Sequence, residues 1–487
     1  MPARTGKDYI DRLNQTTPAV YIDGERIGGP IADHPSFRGI TRTYGRLYDM
    51  QHETAIRETL TFASPSTGDA VPVSFLAPRS REELVRRRKG MELQARMSHG
   101  FLGRTGDYMN SCLTALEAAE AFFSKADPIF GERLKKYVEY MRENDLLAAH
   151  SLIPPQVNRA VPAAQQGDGR LAARVVDERE DGIIVRGARM LATIAPIADE
   201  LLVFPSTVLR NTPEDAAYSF AFAIPCDTPG LKFYCRAPLS YGRSHFDEPL
   251  ASQFDEPDGV VVFDDVFVPN DRIFLLGDPQ LCNTFYTATG AGQLMTHQVA
   301  IRTLVKTEFY LGLAASVADS IGIGGFQHVQ QDLAELITYV EIQKALIHAA
   351  EAKGDVSDDG IFLPEWNALN AARNWFPTQV APRLSELVRK LSASGLMALP
   401  SEADFAGDGS GHLETYLQSS TLDAKSRAQL MKVALDASVS GFAGRQGLYE
   451  YFFFGDPVRL AEALVSAYDL GPARENFQKS LTIPQEN

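Results

Sequence analysis

Arg104 and Tyr108 stand four residues apart in GRTGDY, and His150 follows in AAHSLIPPQVNR. These three side-chain types supply what insertion of oxygen into a phenol ring requires. Ortho-hydroxylation needs the phenol oxygen held and partly deprotonated, because a phenolate pushes electron density onto the ring carbon that attacks an electrophilic oxygen. A neutral imidazole accepts that proton, an arginine stays charged and favours the phenolate, and a tyrosine hydroxyl both donates and accepts beside a peroxide. The same residues also read as structural, with Arg104 and Tyr108 as loop and packing residues and His150 as a satisfied histidine at a helix end.

The elements that must position them fall into three stretches. From Asp8 to about His150 the pattern is helical, with Ser80 and Glu83 spaced as a capping box ahead of Leu84, Met91 and Ala95. From Ser151 to Leu276 the runs LLVFPST, AYSFAFAIP, LKFYCR and GVVVFDDVFVP are short and β-rich, separated by Pro, Gly and Asp turns, and predict a compact β domain. Beyond Gly277 long amphipathic periods return: Ile301, Leu304, Val305, Phe309, Leu313; then Val329, Leu333, Leu336, Val340, Ile347. Val380, Leu384, Leu387, Leu391 and later Ala428, Met431, Leu435, Phe442 complete four long helices, a bundle. The expected fold is therefore α+β, with boundaries near 1–150, 151–276 and 277–487. IGIGGF reads as a helix–helix turn, since Gln327 occupies the last glycine position of a dinucleotide fingerprint. ADFAGDGSGH reads as an exposed loop carrying His412 on the surface.

At 487 residues and 45% hydrophobic content the chain has room for about three domains and a large core. Its net charge of -15 opposes general binding to nucleic acid or anionic membranes, and RRRK at Arg86 to Lys89 reads as a solvated helix face. The N-terminus lacks an apolar signal core, and no apolar stretch of about 18 residues is present, so a soluble, cytoplasmic protein is expected. Four dispersed cysteines imply neither a disulfide framework nor a zinc site, and nine histidines show no dense metal-ligand spacing, so no metal is expected. No serine-nucleophile elbow or P-loop is found.

The strings GRTGDY, HSLIPPQVNRA, GIIVRGARMLAT, VVFDDVFVP, ATGAGQLMTHQ, ASGLMALPSEADF and GRQGLYEYFFFGDPVR run collinearly along nearly the whole chain. Together they resemble the oxygenase components of the 4-hydroxyphenylacetate 3-monooxygenase family, two-component flavin-dependent phenol hydroxylases. The match departs at Leu191, where a polar residue is expected, and the TIAPIADE segment is one residue longer. The resemblance implies an acyl-CoA dehydrogenase-like architecture: helical N-terminal domain, β-barrel middle domain and C-terminal four-helix bundle. It implies that Arg104, Tyr108 and His150 are catalytic and hold the phenol, with Ser206 and Thr207 on the substrate's carboxylate. Gln156, Asn158, Arg159, Thr193, Asp456, Pro457, Val458 and Arg459 would contact FAD. The polar segment Arg210 to Ala217 just beyond Thr207 is expected to form a lid.

The implied reaction is ortho-hydroxylation of a 4-substituted phenol, 4-hydroxyphenylacetate to 3,4-dihydroxyphenylacetate, through a C4a-hydroperoxyflavin. FADH2 would come from a separate NAD(P)H-flavin reductase, dioxygen would be co-substrate, and the family assembles as a homotetramer. No Rossmann fingerprint is present to bind a nicotinamide on this chain. Chlorophenols, coumarate and tyrosine derivatives are alternative substrates within the same chemistry. Outside it stand a 4-hydroxybutyryl-CoA dehydratase, which needs iron-sulfur ligands that Cys112, Cys282 and His297 do not supply, and an acyl-CoA dehydrogenase with Glu308 as base. Glu308 is better read as a buried or paired bundle residue. A noncatalytic flavin carrier is disfavoured by the complete Arg104, Tyr108 and His150 set.

Overall fold

The computed structural model describes residues 3–158, 160–205 and 209–481. The chain opens with α1 (Gly6–Gln15), whose Thr5 cap and Asp8 form a reciprocal capping box. Strands β1 (Ala19–Ile22) and β2 (Glu25–Arg26) follow. Helices α2 (Arg38–Met50), α3 (Arg81–Met97), α4 (Gly106–Ala118) and α5 (Pro128–Glu143) complete the N-terminal stretch. At α3, Ser80 Oγ accepts from Glu83 N at 3.3 Å, but the Glu83 carboxylate turns to the Arg79 N–H at 2.6 Å, so only half of the expected box forms.

The N-terminal stretch is not wholly helical. The alternating Ala19–Ile22 segment runs parallel to β8 (Leu231–Cys235), with Tyr21 opposite Tyr234 and their rings stacked at 4.8 Å. A four-residue strand whose partner lies far along the chain leaves too short a period to read. His150 is likewise corrected: it lies in β3 (Ala148–Ser151), opposite Leu202 in a parallel pairing with β6 (Glu200–Val203), not at a helix end.

The other strands of the two larger sheets are β4 (Arg174–Glu178), β5 (Gly182–Arg189), β7 (Phe220–Pro225), β9 (Gly259–Pro269) and β10 (Ile273–Leu276). They form a six-stranded sheet in the order β2-β1-β8-β9-β5-β4 and a four-stranded sheet in the order β10-β7-β6-β3. In place of the expected single barrel the middle stretch carries two separate sheets, and Thr61–Ala63 with Ala70–Pro72 and Asp355–Val356 with Phe362–Leu363 form two further two-stranded ones. Closure requires edge strands to meet, whereas β2 and β4 stay on opposite edges of one sheet and β10 and β3 on those of the other.

Helices α6 (Pro279–Ala288), α7 (Ala291–Ser320), α8 (Gln327–Ala352), α9 (Trp366–Trp375) and α10 (Ala381–Ser392) come next, then α11 (Ala424–Ser438), α12 (Gly441–Phe452), α13 (Pro457–Ala467) and α14 (Gly471–Leu481). The 30-residue α7 is buried on nearly every side because it packs on α3, α4, α8 and α10 at once. Ile301, Leu304, Val305 and Leu313 are buried on it as their spacing predicts. Residues 321–326 make the expected turn into α8. Glu308 is paired, 2.9 Å from Arg96.

The RRRK run is a solvated face only in part: Arg86 and Lys89 are exposed, whereas Arg87 departs from it. Arg87 is fully buried and donates to Ser74 O, Leu76 O and Ser111 Oγ, tying α3 to α4. Burial pushes its guanidinium down to about 10. Helices α13 and α14 bury none of their residues and expose Val458, Val465, Phe477 and Leu481. Among the described residues no helix is long and apolar enough to cross a membrane.

Candidate active site

Three segments converge on the candidate site: the turn 98–105 between α3 and α4, strand β3, and the end of α12. The turn is shaped by Gly100 at φ +75°, where a Cβ would lie 2.6 Å from the Arg302 carbonyl. It delivers Arg104 just ahead of α4, which carries Tyr108. The Arg104 guanidinium carbon sits 4.6 Å from the Tyr108 ring centre, 5.3 Å from that of Tyr449 and 5.5 Å from that of Phe453. The Tyr108 and His150 rings are 5.7 Å apart. The expected triad is therefore brought together from two elements, with Arg104 9%, Tyr108 3% and His150 6% exposed.

The protonation states follow from that burial. His150 is pushed well below the usual imidazole range, first by desolvation and then by the charge of Arg104, so it stands neutral. Burial raises the Tyr108 phenol despite Arg104, keeping its proton on. Burial works against the charge of Arg104, but Tyr449, Tyr108 and Glu256 outweigh it and hold the guanidinium above its ordinary value. Arg104 Nη1, His150 Nδ1, Ser151 Oγ and Tyr449 Oη are all buried and lack a hydrogen-bond partner among the described residues. Such groups are costly to leave alone, and those of Arg104 and His150, which flank Tyr108, suit a ligand with an acidic oxygen.

The main chain beneath Arg104 is held by residues that sequence reasoning missed. Gly103 N and Arg104 N both donate to Glu256 Oε1, at 2.9 and 2.7 Å, and Tyr44 Oη donates to Arg104 O at 3.0 Å. Arg302 on α7 donates to Gly100 O and to both oxygens of Glu450, while Gln446 donates to Phe101 O. Glu450 is pushed down to about 2 by Arg302 and Lys306 against the opposing effect of burial. Tyr449 stacks on Phe453 at 5.0 Å and fills the space a side chain at Gly103 would need. GRQGLYEYFFFG was the available signal; in the structure its Phe452 is half exposed and its Phe453 faces Tyr108 at 6.4 Å.

The other sequence-derived positions divide. Thr193 lies in a turn flanked by Leu191 at φ +59° and Ile194 at φ +61°, conformations that cost branched residues energy and persist only where the surroundings impose them. Its hydroxyl donates to Asp258 Oδ1 at 2.8 Å. Gln156 and Asn158 are exposed on the segment that leaves β3. Asp456 caps α13, accepting from Val458 N and Arg459 N, with Pro457 in the first turn. That group stands apart from the triad on an exposed helix. Arg159, Ser206 and Thr207 lie outside the described residues. In the expected lid, Arg210 pairs with Asp215 at 3.1 Å over the short helix Pro213–Ala216. All four cysteines are free, and among the described residues no group of three or more His, Cys, Asp or Glu is arranged to hold a metal.

A family model described as 4-hydroxyphenylacetate 3-hydroxylase N terminal matches residues 5–275, and one described as 4-hydroxyphenylacetate 3-hydroxylase C terminal matches residues 282–482. The 4-hydroxyphenylacetate 3-monooxygenase oxygenase component of Geobacillus sp. (strain PA-9) is 44% identical over 494 residues, spanning 100% of this chain and 99% of that one. A crystal structure of the oxygenase component of 4-hydroxyphenylacetate 3-monooxygenase complexed with FAD and 4-hydroxyphenylacetate matches with a TM-score of 0.93 and 44% identity over 98% of each chain. An oxygen-tolerant archaeal 4-hydroxybutyryl-CoA dehydratase from N. maritimus shares the fold, at TM-score 0.88 and 20% identity over 100% of this chain and 96% of that one. The chain belongs to the 4-hydroxyphenylacetate 3-hydroxylase family.

Proposed function

We propose that this chain is the oxygenase component of a two-component 4-hydroxyphenylacetate 3-monooxygenase, using FADH2 and dioxygen to convert 4-hydroxyphenylacetate to 3,4-dihydroxyphenylacetate. The observation that carries this reading is a charged Arg104 and a neutral His150, both buried around Tyr108, with polar atoms left for a phenol. Bound reduced flavin, with dioxygen, supplies an electrophilic oxygen atom and the electrons that reduce the other atom to water.

The chain's own residues prepare the phenol. A free phenol has a pKa near 10, so ionising it at neutral pH requires a shift of about 3 units, or about 4 kcal/mol. One guanidinium at about 4 Å supplies about that much at an effective dielectric near 20. His150 accepts the phenol proton, Arg104 holds the resulting oxygen, and the protonated Tyr108 hydroxyl donates on the oxygen-delivering side. The burial of all three keeps water from the reacting centre.

Ser206 and Thr207 are assigned to the substrate's carboxylate, and Gln156, Asn158, Arg159, Thr193 and Asp456–Arg459 to the flavin. A separate NAD(P)H-flavin reductase supplies FADH2. We assign a homotetramer, supported by the exposed apolar side chains of α13 and α14, and a cytoplasmic setting, supported by the four free thiols. We keep the division into 1–150, 151–276 and 277–487, with β1, β2 and β3 of the first stretch joining the sheets of the second.

The test mixes the purified protein with chemically reduced FAD, dioxygen and 4-hydroxyphenylacetate, without a reductase, and measures catechol and hydrogen peroxide. Near-stoichiometric 3,4-dihydroxyphenylacetate supports the reading. Peroxide alone overturns it for this substrate, and a panel of other phenols then separates a different phenol from a different reaction.

A further inference from the structure

We propose that Arg445 is a positioning residue that fixes the phenol-holding arm against the flavin-edge turn, so that occupancy of one site tightens the other. This rests on the flavin and phenol assignments above. Arg445 is buried on α12, and its guanidinium is a junction between two carboxylates. Nη1 donates to Glu256 Oε2 at 3.1 Å, while Nε and Nη2 donate to Asp258 Oδ2 and Oδ1, each at 2.9 Å.

Each carboxylate grips one side of the site. The second oxygen of Glu256 accepts from Gly103 N and Arg104 N, so this arm ends at the guanidinium that faces Tyr108. Asp258 Oδ1 also accepts from Thr193 Oγ1 at 2.8 Å, so the other arm ends at the turn between Leu191 and Ile194. That turn is held to the same short segment through its main chain: Ala192 N donates to Gly259 O and Ile194 N to Pro257 O. Pro257 restricts the backbone between the two carboxylates, and the planar fork of arginine fixes angle as well as distance. A buried ion pair is weak evidence for stability in itself. What this one adds is a fixed relation between three chain segments, one from each part of the sequence.

Arg236 also contacts Asp258, at 3.0 Å, and Asp255, at 2.6 Å, so Asp258 keeps a cation when Arg445 is altered. Glu256 is fully buried and its described ion pair is the one with Arg445, which makes Arg445→Lys the appropriate substitution: the charge stays and the fork is lost.

The experiment titrates FAD into the full-length protein with and without 4-hydroxyphenylacetate, following flavin fluorescence. The unaltered protein is expected to bind FAD at least about fivefold more tightly with the phenol present, the lower end of ordinary site coupling. Arg445→Lys should bring that ratio close to one, as should Thr193→Val, which deletes only the hydroxyl and serves if the lysine variant does not fold. The double variant should lose no more than either single one. A ratio near one in the unaltered protein, a ratio preserved in Thr193→Val or in a folded Arg445→Lys, or additive losses overturn the inference. Catechol formation by the unaltered protein, measured in parallel, separates this failure from failure of the functional reading: catechol without coupling sinks only Arg445's role, and peroxide alone sinks the substrate assignment.

Discussion

Arg104 and His150 oppose one another electrostatically across Tyr108: the charge that favours a phenolate is also one of the two causes that keep the imidazole neutral and able to accept its proton. One cation thereby favours ionisation of the phenol and keeps the imidazole neutral, while making that imidazole a weaker base. This dependence makes substitutions at the two positions distinguishable.

Replacing His150 with alanine removes the base and leaves Arg104 in place. FAD binding should persist, catechol formation should fall by about 10²–10⁴, the usual contribution of general base catalysis, and peroxide should rise to account for the flavin consumed. Full hydroxylation in this variant would remove the role assigned to His150.

Arg104→Lys keeps a charge but loses the planar group packed over three aromatic rings. A chromogenic nitrophenol used as a probe should bind as its yellow phenolate to the unaltered protein and at least about tenfold more weakly to the variant. Equal phenolate fractions on the two proteins would show that the fork geometry is irrelevant.

Because His150 lies well below the usual imidazole range, catechol yield per flavin should stay level as pH falls from 8 to 6. Its acid limb should appear only well under the free imidazole value of about 6.5. In Arg104→Met the limb should move upward only part of the way, since desolvation is the larger cause and survives the substitution. Single-turnover product analysis across pH reads both limbs.

Gly103 is required by close approach rather than by its dihedral angle. A Cβ there would sit 2.1 Å from the Tyr449 hydroxyl, so Gly103→Ala must displace Tyr449 or the Arg104 main chain. Overpacking of this kind costs about 1–3 kcal/mol. Thermal denaturation should register that loss, and hydroxylation should fall further than stability because Arg104 moves.

Glu200, buried in β6 beside Arg272 and Tyr137, is raised to about 7 by burial against the opposing effect of Arg272. A carboxyl raised on folding contributes stability that is complete below its unfolded value of about 4.5 and is lost as pH climbs through 7. Glu200→Gln should therefore gain on the unaltered protein between pH 5 and 8, by on the order of 2–3 kcal/mol at the upper end. Parallel melting curves for the two proteins would contradict this.

Much of the helical architecture was legible because long apolar periods such as Ile301 to Leu313 report a buried face directly. The triad was legible because GRTGDY and the His150 string carry distinctive chemistry in a few adjacent letters. What escaped was pairing over distance. Glu256 in DEPDG and Arg445 in GRQG look like ordinary surface charges, and only folding shows them joined across 189 positions. Arg87 failed for the same reason: its partners are backbone carbonyls and one serine, which leave no mark on charge pattern. The barrel expectation came from the family's architecture, and the strand runs themselves carry no record of which edges meet.

The pairing of Ala19, Val20 and Tyr21 with Lys232, Phe233 and Tyr234 also sets a timetable. During synthesis that early strand leaves the ribosome long before its partner exists, and at about 5–20 residues per second it waits on the order of ten seconds or more. Until then its unpaired backbone is open to association with other chains. Slowing translation before Leu231 should lengthen that exposure and lower the yield of native protein, while a nascent-chain chaperone that covers the first thirty or so residues should restore it.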